Sequence, residues 1–198
     1  MTFRIALTVL FLQTVTVGVA AAQSFEAGGV VAMSQWSEFD GTDVGFGGRF
    51  TYKPSPLVGI DAELLWYPSD FAERVAFSRS RFEGLFGATV GPQLDRVRPF
   101  AKVAAGFLNV GKTPGAFACI AIFPPPLACV LANGKTLPAY EIGGGIDVGV
   151  TANTFIRADI TDRMLQYPGP TLSSDFETRD EGFLGHAVRF TVGAGLRF

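Results

Sequence analysis

The sequence predicts an all-β fold, an eight-stranded antiparallel up-and-down transmembrane β-barrel. Apolar residues recur at every second position, which is the period of a strand and not of a helix. Eight segments show this alternation, each near the ~10 residues with which a tilted strand crosses a bilayer. Short connections between segments alternate with longer ones, as they do when turns lie on one side of a membrane and loops on the other.

The composition limits the classes of function. Charged residues make up 17% of the 198 residues, against roughly 25% in ordinary soluble domains. Lysine and arginine number 16 and the acids 18, so no excess of basic charge favours binding to nucleic acid. The apolar fraction of 48% excludes a disordered chain.

Residues 1–22 are predicted to be a secretory signal peptide that directs the chain to the cell envelope. Arg4 precedes an apolar stretch, and the segment ends on three alanines, which is typical of a small-residue cleavage site. Polar residues interrupt the apolar stretch, which disfavours an uncleaved membrane anchor. Residues 23–198 are then expected to form the barrel domain.

Each alternating segment has one face that is apolar or glycine throughout and carries no Asp, Glu, Lys or Arg. The segments span 25–33, 46–52, 58–66, 82–90, 101–107, 140–150, 156–160 and 184–198. The opposite face holds seven acids and six bases, namely Glu26, Arg49, Asp61, Glu63, Arg81, Glu83, Lys102, Glu141, Asp147, Arg157, Asp159, Arg189 and Arg197. A soluble barrel would turn its apolar face inward and a membrane barrel would turn it outward, so alternation alone does not choose between them.

Aromatic residues near the segment ends favour the membrane barrel, because such barrels carry aromatic girdles at both interfaces. The residues concerned are Trp36, Tyr52, Trp66, Tyr67, Phe100, Tyr140, Tyr167 and Phe198. A soluble periplasmic barrel remains the alternative architecture.

Three stretches, Arg98 to Phe107, Gly143 to Gly149 and His186 to Phe198, resemble those of the small OmpA/OmpX-like outer-membrane β-barrel family. The resemblance covers essentially the whole mature chain and implies a Gram-negative-type outer membrane as the location. The final Phe198, after alternating apolar residues, resembles the signal that such proteins present to the barrel assembly machinery. Outer-membrane lipid and that machinery are therefore the implied partners.

The interior of an eight-stranded barrel is just wide enough for side chains to fill it. The nearly balanced inward charges are therefore expected to form an ion-pair network, because an unpaired buried charge is costly. Two interpretations stay open, a plugged scaffold and a narrow polar conduit for small solutes.

The longest connection, 111–137, is almost free of charge and contains both cysteines. Cys119 and Cys129 are expected to form a disulfide, because an exported protein meets an oxidising compartment. Ile120, Ile122 and Phe123 are candidate contacts for an extracellular partner, a second copy of the chain or lipid. The alternative is that this loop folds down over the mouth of its own barrel.

No cofactor, metal ion or catalytic site is expected. Residues 106–113 match the phosphate-loop pattern, but Pro114 follows at once and prevents the helix that such a loop requires. A lipid A-modifying enzyme would need the single histidine, His186, beside a serine, for which Ser173 and Ser174 are candidates. We predict a non-enzymatic protein with a structural, adhesion or partner-binding role through its loops. A small-solute channel is the first alternative and a lipid A-modifying enzyme the second.

Overall fold

The computed structural model describes residues 24–37, 41–68, 80–112, 123–125, 127–172 and 178–198. The predicted signal peptide and its cleavage site lie outside these residues and stay a prediction. The elements are β1 (Ser24–Trp36), β2 (Thr42–Lys53), β3 (Val58–Tyr67), β4 (Arg81–Val90), β5 (Val97–Val110), α1 (Leu127–Ala132), β6 (Lys135–Gly149), β7 (Thr154–Tyr167), β8 (Thr171–Leu172), β9 (Thr178–Arg179) and β10 (Phe183–Arg197).

Eight of these strands form one closed antiparallel barrel, in the order β1, β10, β7, β6, β5, β4, β3, β2, while β8 and β9 form a separate small hairpin. The predicted fold class is confirmed. The residue pairing fixes the stagger of the barrel: the line of paired residues that starts at Glu26 passes through every strand and returns to β1 at Trp36, ten positions further on. A stagger of this kind tilts the strands by roughly 35–45° from the barrel axis.

The side chains alternate between the lumen and the outer wall, as the pleat of a strand requires. Large apolar side chains such as Leu64, Phe86 and Ile160 are exposed on the outer wall, with accessible fractions of 55%, 65% and 60%. Most charged side chains of the barrel strands point into the lumen. None of the helices among the described residues is long and apolar enough to cross a bilayer.

The two ends of the barrel differ. One end, here called the turn end, carries both termini of the described barrel and the connections 54–57, 91–96 and 150–153. Backbone hydrogen bonds between Phe25 and Phe198 join the termini there. The opposite loop end carries the connections 37–41, 68–80, 111–134 and 168–182. The connection between β1 and β2 is only five residues long, so the predicted long loop at this position is wrong.

The predicted aromatic girdle is partly wrong. Trp36, Tyr67, Phe100 and Tyr167 point into the lumen and are buried. The loop-end girdle consists of exposed aromatic side chains on the neighbouring strands β2 to β6, of which Trp66 and Tyr140 were predicted and Phe46, Phe82 and Phe107 were not.

Several strands are longer than predicted, because they continue beyond the apolar band. β7 runs to Tyr167 and not to residue 160. This extension places Asp162 on the outer wall, where the sequence predicted no charge.

Candidate functional site in the barrel lumen

The lumen is filled by charged side chains. Of the thirteen inward charges identified in the sequence, twelve are buried, and the Arg197 side chain is 22% exposed. Four more inward charges, Asp43, Lys53, Arg98 and Arg163, are buried beside them. The lumen of the described barrel thus holds eight acids and nine bases.

The first group of ion pairs lies at the turn end. Arg98 Nη1 is 3.2 Å from an oxygen of Asp147. Lys53 Nζ lies 2.7 Å from Glu26 and 3.8 Å from Asp147, so it links the two acids. Arg197 Nε donates to Glu26 at 2.6 Å. Each cation here comes from a different strand than its acid, so the pairs tie the barrel walls together.

The middle of the lumen continues the same network. Arg157 Nε lies 3.5 Å from Asp147 and 3.6 Å from Asp159. Arg49 Nη1 lies 3.1 Å from Asp159, and Arg49 also pairs with Glu63. The guanidinium groups therefore bridge successive carboxylates along the axis of the barrel.

The network ends near the loop end on Arg189 and Arg163. Arg189 contacts three carboxylates, at 2.5 Å from Glu63, 2.8 Å from Glu141 and 3.1 Å from Glu83. Arg163 Nη1 lies 3.1 Å from Glu83. Three further short pairs join Arg157 to Asp61 at 2.7 Å, Lys102 to Glu141 at 2.6 Å, and Arg81 to Asp43 at 2.7 Å.

Apart from the pair of Arg81 and Asp43, these charged residues form one connected chain of contacts from the turn end to the loop end. A gap of about 10 Å³ remains beside Glu26, Arg49 and Arg157. A gap of this size holds about one water molecule. The side chains thus occupy the path that a solute would take through the described barrel.

Above the network, the lumen becomes apolar and is covered by α1. Leu127 and Leu131 of this helix are each 3% exposed. They pack in one cluster with inward-facing residues of β1 and β4 to β7, namely Trp36, Leu85, Leu108, Val110, Leu137, Ala139, Leu165 and Tyr167. A six-residue helix gains its stability from such packing rather than from its own hydrogen bonds. The helix ends at Ala132, and Gly134, with its positive φ of 81° and a backbone N–H that donates to the carbonyl of Leu131, turns the chain into β6.

Comparisons with known proteins agree with this architecture. The N-terminal β-barrel domain of Pseudomonas aeruginosa OprF is 14% identical in sequence, covers 89% of this chain and 98% of its own, and superposes with a TM-score of 0.51. Neisserial surface protein A (NspA) is 12% identical, with 88% and 96% covered and a TM-score of 0.53. The chain has the fold of the small outer-membrane β-barrels. No family model and no curated protein matches the sequence.

The loop candidates of this outer-membrane-type barrel fall only partly within the described residues. Phe123 is 84% exposed. Ile120, Ile122 and Cys119 lie outside the described residues, and the pairing of Cys119 with Cys129 stays a prediction. The loop therefore combines the two alternatives. Its helix α1 folds over the mouth of the barrel, whereas Phe123 is exposed to solvent.

His186 lies on the outer wall at the loop end. Its Nδ1 is 2.8 Å from Asp162, and the two side chains are 55% and 41% exposed. Ser37 Oγ donates to the backbone carbonyl of His186 and accepts from its backbone N–H. The serine thus binds the main chain of His186, whereas a catalytic nucleophile would bind its ring. The predicted candidates Ser173 and Ser174 lie outside the described residues.

The four additional inward charges were missed for a common reason. Lys53 and Arg98 lie just outside the predicted segments 46–52 and 101–107, whereas in the structure both lie in strands, β2 and β5. Asp43 and Arg163 lie beyond the ends of the predicted segments. Continuing the alternation of each segment by up to three positions would have found all four.

Proposed function

We propose that this chain is a non-enzymatic outer-membrane protein whose barrel is a closed scaffold and whose role, in adhesion, partner binding or envelope structure, is exerted by its loop end. The observation that carries the proposal is the filled lumen: one network of ion pairs runs along it, and α1 covers its mouth. A barrel filled in this way leaves its surface loops as the parts that meet other molecules.

The outer wall supports placement in a membrane. Apolar side chains are exposed on every barrel strand, which would be costly in water and is favourable in hydrocarbon. In a closed barrel every strand is hydrogen-bonded to two neighbours. The bilayer core requires this, because it contains no water to bind unpaired backbone N–H and C=O groups. In this placement the turn end faces the periplasm and the loop end faces outward. Phe198, 71% exposed at the turn end, is available to the barrel assembly machinery.

The decisive experiment measures ion conductance of the purified protein in planar bilayers. The filled lumen predicts no steady conductance above that of the bare bilayer. Migration on SDS gels, unboiled against boiled, serves as the control that the protein in the bilayer is a folded barrel, because closed barrels resist SDS until they are heated. A steady conductance from protein that shows the mobility shift would contradict the closed scaffold and favour the small-solute channel.

The contact role of the loop end is tested by Phe123→Ser. The side chain is 84% exposed, so the change should leave folding intact and lower binding of whole cells to their target surface, or self-association. The matched control is Leu94→Ser, because Leu94 is 58% exposed in a connection of the turn end. Equal binding by both variants would contradict a contact through Phe123.

A further inference from the structure

The strands β6 and β7 part from each other at the loop end. Their pairing ends at Ala139 and Leu165. Yet β6 begins four residues earlier, at Lys135, where it still pairs with β5, and β7 continues to Tyr167, where it still pairs with β10. Near the loop end, β6 therefore stays paired with β5 and β7 stays paired with β10, but β6 and β7 no longer pair with each other. This leaves a notch in the barrel wall.

Pro138 lies at the base of this notch. Proline has no backbone N–H, so it cannot donate a hydrogen bond to a neighbouring strand at this position. On its other side, Pro138 is paired with Phe107 of the loop-end aromatic girdle. The notch therefore opens on the outer wall next to the level at which an amphiphile places its polar head.

The notch forms a cavity of about 330 Å³. This volume lies at the lower end of the roughly 300–1,000 Å³ that is usual for small-molecule sites. The cavity is lined by Lys135, Thr136, Leu137, Pro138, Gln166, Tyr167, Pro168, Gly169 and Gly182. Two of these residues, Leu137 and Tyr167, also belong to the buried apolar cluster under α1. Both side chains are buried, so the inner side of the notch lies against the apolar cluster of the upper lumen.

We propose that the notch between β6 and β7 binds the alkyl chain of a single-chain anionic amphiphile, such as a fatty acid. The apolar inner side, formed by Leu137 and Tyr167, suits the chain. Lys135 is the single charged residue among the described residues that line the cavity, and it is exposed at the rim, where it suits a carboxylate. The leucines of α1 pack against the same cluster, so they limit how far the chain enters.

Tryptophan fluorescence provides the test, because the protein has two tryptophans and Trp36 lies in the apolar cluster. Trp66 is exposed on the outer wall and is removed by Trp66→Phe, so that Trp36 becomes the only reporter. The protein is reconstituted in phosphatidylcholine vesicles and titrated with 11-bromoundecanoic acid, whose bromine quenches a tryptophan that it contacts. We expect saturable quenching of Trp36.

Two variants separate binding in the notch from quenching through the membrane. Gln166→Phe places a ring over the notch and should raise the half-quenching concentration at least ten-fold. Thr42→Phe makes a similar change near the loop end of β2, away from the notch, and should leave it unchanged. The unboiled gel shift confirms that both variants are folded. Equal quenching in the two variants would overturn the proposal.

Two further comparisons test the head group and the depth of the site. Lys135→Gln should weaken quenching by the acid several-fold while leaving quenching by the neutral 11-bromoundecanol unchanged. An equal effect on both probes, or on neither, would overturn the assignment of an anionic head.

Leu131→Ala should lower the half-quenching concentration, because it frees space in the cluster. If it does not, the chain does not reach the apolar cluster.

Discussion

Replacing Arg189 by methionine should destabilise the barrel more than any single change at the lumen ends. The guanidinium is fully buried and contacts Glu63, Glu141 and Glu83 at 2.5, 2.8 and 3.1 Å. Methionine keeps much of the apolar stem but removes the charge. Three carboxylates would then face one another with one cation fewer between them.

The expected cost follows from the behaviour of buried ion pairs. Removing one partner of such a pair costs about 3–5 kcal/mol, since it leaves a charge that is neither hydrated nor neutralised. Other cations remain near the three acids, so we expect a value within this range and not a multiple of it. A loss of about 3 kcal/mol already lowers the folding equilibrium constant more than a hundred-fold. The matched control is Arg197→Met, because Arg197 is 22% exposed and its acid, Glu26, keeps Lys53. That change should cost clearly less than the loss of Arg189, because the Arg197 guanidinium keeps contact with solvent and Glu26 keeps a cation.

The assay is urea unfolding of the protein in lipid vesicles, with the folded fraction read from the fast-migrating band of unboiled samples. Glu141→Gln in the Arg189→Met background should recover part of the loss, because it removes one of the carboxylates that Arg189 no longer neutralises, while Lys102 keeps Glu63 and Asp159 at 3.8 Å. The reasoning is refuted if Arg189→Met and Arg197→Met differ by less than about 1 kcal/mol, since burial and the number of partners would then not determine the cost.

Three other predictions concern the wall, the cover and the outer surface. Gly28→Ala should destabilise the barrel by about 1–3 kcal/mol, because a Cβ there meets the carbonyl oxygen of Ala194 at 2.4 Å; Gly29→Ala, with its nearest atom at 4.0 Å, should be tolerated in the same urea assay. Leu131→Ala should speed amide exchange of α1 without abolishing the gel shift, because loss of a buried leucine costs about 2–5 kcal/mol and the helix is too short to hold without it. A double-mutant cycle of Asp162→Asn and His186→Ala should give a coupling below about 1 kcal/mol, since both side chains are exposed; a larger value would indicate a less hydrated pair.

The strands could be predicted from the sequence because their alternation has a physical cause. Where one face meets an apolar environment and the other a polar lumen, every second residue is constrained, and eight such segments were recognisable. The strand ends could not be placed in the same way. Beyond the apolar band the outward residues become polar, as at Asp162, Gln166 and Thr136, while the hydrogen-bonded ladder continues. The alternation then disappears although the strand does not.

The helix α1, which covers the mouth of the barrel, could not be predicted from local sequence patterns. α1 has six residues, no acidic residue in its first turn and no basic residue in its last. Such a segment has no periodicity long enough to indicate a helix, and it forms because the upper lumen offers it apolar partners. The notch between β6 and β7 was missed for a related reason. It results from the pairing of strands distant in sequence, and Pro138 gave the one local signal.

The seam between β1 and β10 has a consequence for how the molecule is made. It pairs the first strand of the chain with the last, and its ion pair of Glu26 and Arg197 spans 171 positions of sequence. The barrel cannot close until β10 has been synthesised, and a chain without β10 would expose two unpaired sheet edges to any neighbour. Closure of the barrel is therefore a late step, and the open strand edges have to stay shielded from other chains until it occurs.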